Sequence, residues 1–279
     1  MTDEGDGGRI TLRIRDGIAD LRLNRPAKMN ALDEPLVEAL LAAAARLRRE
    51  AGLRAVVMSG EGASFCAGLD MANFAAVASG SGAGLLTGRL ADRTHGPANR
   101  FQHLALVWRE LPVPVIAALH GSVFGGGLQI ALGADLRFAT PDAQLALLEI
   151  RWGIVPDMGG TLLLRDLIGA DLIRDLTYTG RILSGDEAAR LGLVTRTCPD
   201  PHAAALEAAR EIAARNPDAI RAAKRLLNLA DDATAARILL AESREQDGLL
   251  GTPNQMEAVR ANMERRSPVF HDRPDEAGG

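Results

Sequence analysis

VPVIAALHGSVFGGGLQIALGADLR, residues 113 to 137, is the stretch on which the reading of the fold turns. The apolar run from Val113 to Leu119 reads as a buried strand. It breaks at His120-Gly121-Ser122 and reaches Gly125, Gly126 and Gly127. A helix of small apolar residues begins near Leu128, and a second short strand follows at Asp135. Strand, glycine turn and helix start together aim unpaired backbone N–H groups at something negative. Glycine helps because it permits unusual φ/ψ and carries no side chain to hold a ligand off. On the glycines alone, tight packing of helix against strand explains the run equally well.

Toward the amino terminus, Ile10–Ile14 and Ile18–Leu23 alternate around Asp16-Gly17 as a hairpin does. Asp33 caps a helix with the apolar face Leu36, Val37, Leu40, Leu41, Ala44 and Leu47, and Gly52 closes it. Arg54–Ser59 is a wholly apolar strand in its interior, as expected of a sheet covered on both faces. The loop Ala67-Gly68-Leu69-Asp70 follows and leads into a helix near Asp70. Residues 79–88, SGSGAGLLTG, have the composition of a flexible loop, and a long helix is expected from Ala91 to Glu110.

Beyond Arg137 come strands at Leu136–Ala139 and Leu145–Leu148, helices at Thr161–Ile168, from Ala170 and over 184–190, and a strand at Leu193–Thr197. From Pro201 only helical patterns remain. The chain therefore reads as α/β: a tail (1–8) that looks disordered, a core (9–200), a helical carboxyl-terminal region (201–270) and a loose end (271–279).

Composition excludes several classes. With 3% aromatics and a net charge of -4, the chain offers neither a stacking surface nor a basic footprint for nucleic acid. No run reaches the roughly 18 apolar residues of a membrane span, and MTDEGDGG lacks an apolar signal core. A cytoplasmic protein is the expectation. Cys66 and Cys198 stand in no metal-type spacing, and the five histidines form no paired ligand set, so no metal is expected. Ser122 does not sit at the centre of a G-x-S-x-G elbow, which argues against a hydrolase using Ser122 and His120. GSVFGGG does not spell the dinucleotide fingerprint either.

Two loops pair up: Ala67–Asp70 and Gly125–Gly127 each follow a buried strand and precede a helix. N–H groups from separate loops can converge on one carbonyl oxygen and stabilise the charge it gains in reaction. Four motifs carry a resemblance: Asn24-Arg25-Pro26…Lys28…Asn30-Ala31-Leu32; Phe65-Cys66-Ala67-Gly68-Leu69-Asp70; His120-Gly121…Gly125-Gly126-Gly127; and Pro156…Gly159-Gly160-Thr161. In this order and spacing, from about Ile10 to Phe270, the chain resembles the crotonase (enoyl-CoA hydratase/isomerase) family.

The resemblance implies a core of ββα units wound as a spiral, a helical carboxyl-terminal region that assembles subunits, and trimers or dimers of trimers. It implies a coenzyme A thioester as substrate and no separate cofactor. The N–H groups of Leu69 and Gly126 would form the oxyanion hole. Lys28, Ala67, Gly68, Leu69, Asp70, Gly126, Gln129 and Pro156 would line the acyl-CoA site.

Acid–base groups then decide the reaction. Hydratases of the family carry two glutamates; one matches Glu149, while the other position holds Gln129, whose amide cannot exchange a proton at neutral pH. Asp157, eight positions after Glu149, matches the pattern of the family's dienoyl-CoA isomerases in part. Glu149 and Asp157 are thus the candidate catalytic pair, with Asp157 as a helix cap the competing reading. Double-bond isomerisation is favoured. Hydration through Glu149, or an acyl-CoA-binding subunit with little catalysis, are the alternatives.

Overall fold

The structure, a computed structural model, describes residues 8–70, 90–230 and 252–271. The expected helix after Asp70, the flexible loop at 79–88 and most of both terminal tails lie outside the described residues.

A hairpin, β1 (Ile10–Arg15) and β2 (Ile18–Leu23), opens the chain, turning at Asp16-Gly17 with both residues at positive φ. Helix α1 (Glu34–Arg48) follows, and the Asp33 carboxylate accepts the Leu36 N–H as foreseen. Then come β3 (Ala55–Gly60), α2 (Arg100–Glu110), β4 (Val115–Leu119), β5 (Ser122–Phe124), α3 (Gly126–Leu132), β6 (Leu136–Ala139) and β7 (Gln144–Ala146). After a 3-10 turn at Glu149–Trp152 the chain continues with α4 (Gly160–Leu164), α5 (Ala170–Thr179), β8 (Leu183–Ser184), α6 (Gly185–Leu191) and β9 (Arg196–Thr197). Helices α7 (Pro201–Ala213), α8 (Pro217–Ala230) and α9 (Pro253–Glu264) complete it.

The main sheet has the order β1-β2-β3-β4-β6-β9, antiparallel only at the first pair. A small second sheet, β5-β7-β8, lies beside it. Parallel strands must be covered on both faces, and the alternation along each strand shows how this is done. Val56, Met58, Ala117 and Leu119 face one core with α1, α2 and α3. Ala55, Val57, Ile116, Ala118 and Phe138 face the other, where Ala205 and Ala209 of α7 pack. Small residues let α7 lie close on the sheet, leaving the first face to build the site. Among the described residues no helix is long and apolar enough to cross a membrane.

Five expectations need correction. The long helix at 91–110 starts only at Arg100, because Gly96-Pro97 interrupts it and Asn99 with Gln102 forms a capping box. The break read at His120-Gly121-Ser122 ends one residue sooner, because Ser122–Phe124 form β5. The helix expected at Thr161–Ile168 is the shorter α4, and only Arg196–Thr197 of the Leu193–Thr197 strand pairs. Helix α3 begins at Gly126 rather than Leu128, which puts two glycines in its first turn.

Candidate active site

The site is assembled by three loops tied to one another through backbone groups. Asn30, fully buried, accepts the Arg25 N–H at 2.7 Å and donates to the carbonyls of Glu61 (3.0 Å) and Ser64 (2.8 Å). That staple fixes the 25–32 loop against the loop leaving β3. The 66–70 segment is then held from both sides. Cys66 donates to Ser122 O and accepts from Phe124 N, both at 3.0 Å. On the other side Leu32 N–H donates to Gly68 O (2.7 Å) and Asp70 N–H to Leu32 O (3.0 Å).

This bracing leaves the Leu69 N–H without an acceptor among the described residues, and the Gly126 N–H, in the first turn of α3, likewise. The two loops adjoin: a Cβ on Gly68 would stand 3.7 Å from Gly126 N. Gly125, at φ 50° and ψ −119°, makes the turn that L side chains resist. Gly127 does the packing work of the alternative reading, since a Cβ there would meet Cys66 O at 2.6 Å. The glycine run serves both purposes, one residue apart.

Behind these loops lies a cavity of about 820 Å³. Its buried walls come from Leu32, Val37, Phe101, Leu104 and Met158, and Trp152, Ile154 and Val155 stand exposed at its edge. Phe101 and Leu104 come from α2, within the segment expected as one long helix; residues 71–89 lie outside the described residues. Val37, Leu32 and Met158 were not anticipated as wall. The α1 face that identified Val37 as core also points it here.

Lys28, Ala67, Gly68, Leu69, Asp70, Gly126, Gln129, Glu149 and Asp157 all line this cavity; Pro156 is not among its lining residues. Lys28 is exposed on a 3-10 turn at Pro26–Lys28. The Asp70 carboxylate is bound to Arg25 Nη1 at 2.5 Å, so its side chain braces the loop. His120 and Ser122 do not line the cavity, and the His120 ring Nε2 lies 2.9 Å from Gly62 O.

Glu149 is 7% exposed, and Gln129 Nε2 donates to its Oε1 at 2.7 Å. Burial pushes the Glu149 carboxyl above its ordinary value, the charge of Asp157 adds to that, and the Gln129 hydrogen bond pulls the other way. Burial also raises Asp157. Asp157 does not cap α4: the N-cap is Gly159, in the left-handed region, with no side-chain cap bond. Gln129 was expected in the groove as a contact for water or substrate. It is 1% exposed, and its amide instead joins Glu149 to the 158–160 backbone. Among the described residues no group of three His, Cys, Asp or Glu could hold a metal ion.

Comparison with known proteins agrees with this architecture. The sequence model described as enoyl-CoA hydratase/isomerase matches residues 13–273. A mitochondrial Delta(3,5)-Delta(2,4)-dienoyl-CoA isomerase of Pongo abelii is 32% identical over 263 residues, covering 91% of this chain and 79% of its own. The human mitochondrial enoyl-CoA hydratase domain-containing protein 2 is 31% identical over 280 residues, covering 96% and 92%. The crystal structure of an enoyl-CoA hydratase from Bacillus anthracis superposes with a TM-score of 0.83 at 30% identity, covering 94% of this chain and 98% of that one. The α/β core of strands and helices with its helical carboxyl-terminal region is thus the crotonase fold. The protein belongs to the enoyl-CoA hydratase/isomerase family.

Proposed function

We propose that this enzyme shifts a double bond in an enoyl- or dienoyl-CoA, with proton transfer by Glu149 and Asp157. The observation that carries the reading is the pair itself: two carboxyls with raised pKa on one cavity, and an amide at the third position. In this reading the thioester oxygen accepts the N–H groups of Leu69 and Gly126. One carboxylate takes a proton from a carbon acidified by the thioester, and the electron pair moves into the carbonyl as an enolate. The enolate collapses, the double bond reforms one position along its conjugated path, and the second carboxyl returns a proton there. Atoms and electrons balance without a cofactor. The side chain of Lys28 and the Ala67–Asp70 backbone are assigned to the coenzyme A part.

The test is a panel of 2-enoyl, 3-enoyl and dienoyl thioesters followed by absorbance. Asp157→Asn is expected to lower kcat for isomerisation by roughly 10²–10⁴-fold, the usual share of one acid–base group. Full isomerase activity in that variant removes Asp157 from the mechanism. Hydration is the second reading, supported by the fold shared with the Bacillus anthracis hydratase. Crotonyl-CoA hydration that survives Asp157→Ala and vanishes in Glu149→Gln decides for it. Tight acyl-CoA binding without turnover across the panel decides for a binding subunit. We also assign a homo-oligomer, trimer or dimer of trimers, to the 201–270 region; Leu227 and Met256 there are exposed at 70% and 50% and need covering. Sedimentation velocity reads that directly.

A further inference from the structure

The amide of Gln129 can be oriented without ambiguity. Its oxygen faces two backbone donors, Met158 N–H at 2.9 Å and Gly160 N–H at 3.0 Å, so the nitrogen must face Glu149 Oε1. The Gly160 N–H is one of the orphan donors that open α4, and Gln129 satisfies it in place of a cap. The fit is tight on both sides. A Cβ on Gly160 would stand 2.8 Å from Gln129 Oε1, and one on Gly125 3.3 Å from Glu149 Oε1.

The other oxygen of the carboxyl tells the rest. Glu149 Oε2 is buried and has no hydrogen-bond partner among the described residues. A carboxylate oxygen left bare in a buried site costs the fold its desolvation unless something else meets it. Here the carboxyl lines the cavity, so a ligand hydrogen or a proton meets it.

Resting on the isomerase reading above, we propose that Gln129 is a positioning residue: it holds Glu149 Oε1 so that Oε2 alone meets the reacting carbon, and it ties the loop carrying Asp157 to the same amide. The register of the two carboxyls is then set by one side chain rather than by two independent loops. A glutamate at this position could accept the same backbone donors, but it could donate to Glu149 only while protonated. Among the described charged groups lining the cavity, Lys28, Asp70 and Asp157, it is Asp157 whose charge raises Glu149.

The experiment uses the full chain labelled with 13Cδ-glutamate, the Glu149 resonance being the one lost in Glu149→Gln. In Gln129→Met the Glu149 midpoint should move to higher pH, because its permanent donor is gone. There kcat should fall by up to about 10²-fold with a smaller change in KM, since the backbone N–H groups assigned to the thioester stay in place and aim is lost. In Gln129→Glu, which keeps the acceptor, residues 129 and 149 should titrate as a coupled pair with two separated steps. An unmoved midpoint in Gln129→Met overturns the proposal. If Gln129→Met does not fold, Gln129→Glu decides alone, and ordinary single-step titration of Glu149 overturns the proposal. If the wild-type enzyme isomerises nothing, the function above fails while the resonance still decides the clamp.

Discussion

Replacing Lys224 by methionine tests how the helical carboxyl-terminal region is locked to the strand that leads into the active site. Lys224 on α8 is 5% exposed, and its ammonium donates to Trp108 O (3.2 Å), Val113 O (2.8 Å) and Asp135 Oδ2 (2.7 Å). The Trp108 carbonyl needs that donor because its partner four residues on is Pro112, which has no N–H. Asn228, one turn further along α8, donates to Arg109 O at 2.9 Å in the same way. Burial pulls the Lys224 ammonium below its ordinary value despite Asp135, so the intact pair adds little net stability. The loss in Lys224→Met comes instead from stranded partners: two carbonyls, and a carboxylate 25% exposed that keeps, among the described residues, the Val115 N–H at 2.7 Å. Breaking a buried pair costs about 3–5 kcal/mol, and the partial exposure of Asp135 puts this one near the low end, about 3 kcal/mol. That corresponds to a melting temperature lower by roughly 6–12 °C. Urea and thermal unfolding by circular dichroism measure it. Adding Asp135→Asn, whose amide oxygen still accepts Val115 N–H, should restore part of the loss by removing the stranded charge. A loss below about 1 kcal/mol, no more than one ordinary hydrogen bond, refutes the argument. So does a double variant less stable than Lys224→Met.

Glu149→Gln should lower turnover by roughly 10²–10⁴-fold and also change how stability depends on pH. The folded Glu149 carboxyl lies above the unfolded value of 4.5, so the folded state holds its proton longer and stability falls as pH rises through that window. The variant lacks this loss; its melting temperature should gain on the wild type from pH 4.5 upward, and a pH-independent difference would contradict the raised carboxyl. Cys66 is fully buried, its thiol is pushed up to about 12, and its Sγ lies 3.1 Å from Asn30 O. It should resist iodoacetamide in the native protein while Cys198 reacts first, as counted by mass spectrometry; rapid native labelling at Cys66 would show that the Asn30 staple opens.

What could be read from the sequence was local or came from whole motifs. The Asp33 cap, the hairpin at Asp16-Gly17 and the buried strand in the Val113–Leu119 run each depend on a few neighbouring residues, and each formed, the strand starting at Val115. Asn30 was legible only as part of a motif; its work is to bond the loop 31 to 34 residues away. Strand β5 was missed because three residues beside glycines carry no usable alternation. The overlong helix came from weighing periodicity over Gly96-Pro97 and the Asn99–Gln102 box. The bonding of Gln129 was not legible for a different reason. Its partners sit 20 to 31 residues further along the chain, and nothing near position 129 announces that its amide is already spoken for.

The N–H groups at Leu69 and Gly126, unpaired among the described residues, belong to the main chain, so no residue letter encodes them. Any residue at position 69 except proline supplies the same donor. What must be inherited is the length of two loops and the absence of Cβ atoms at Gly68 and Gly127. Side chains at 129, 149 and 157 are free of that constraint. On the proposed reading, these three positions set the reaction while the loops that carry the two N–H groups stay the same. Divergence to about 30% identity with the fold kept, as between this chain and the Bacillus anthracis protein, is what such a division of labour permits.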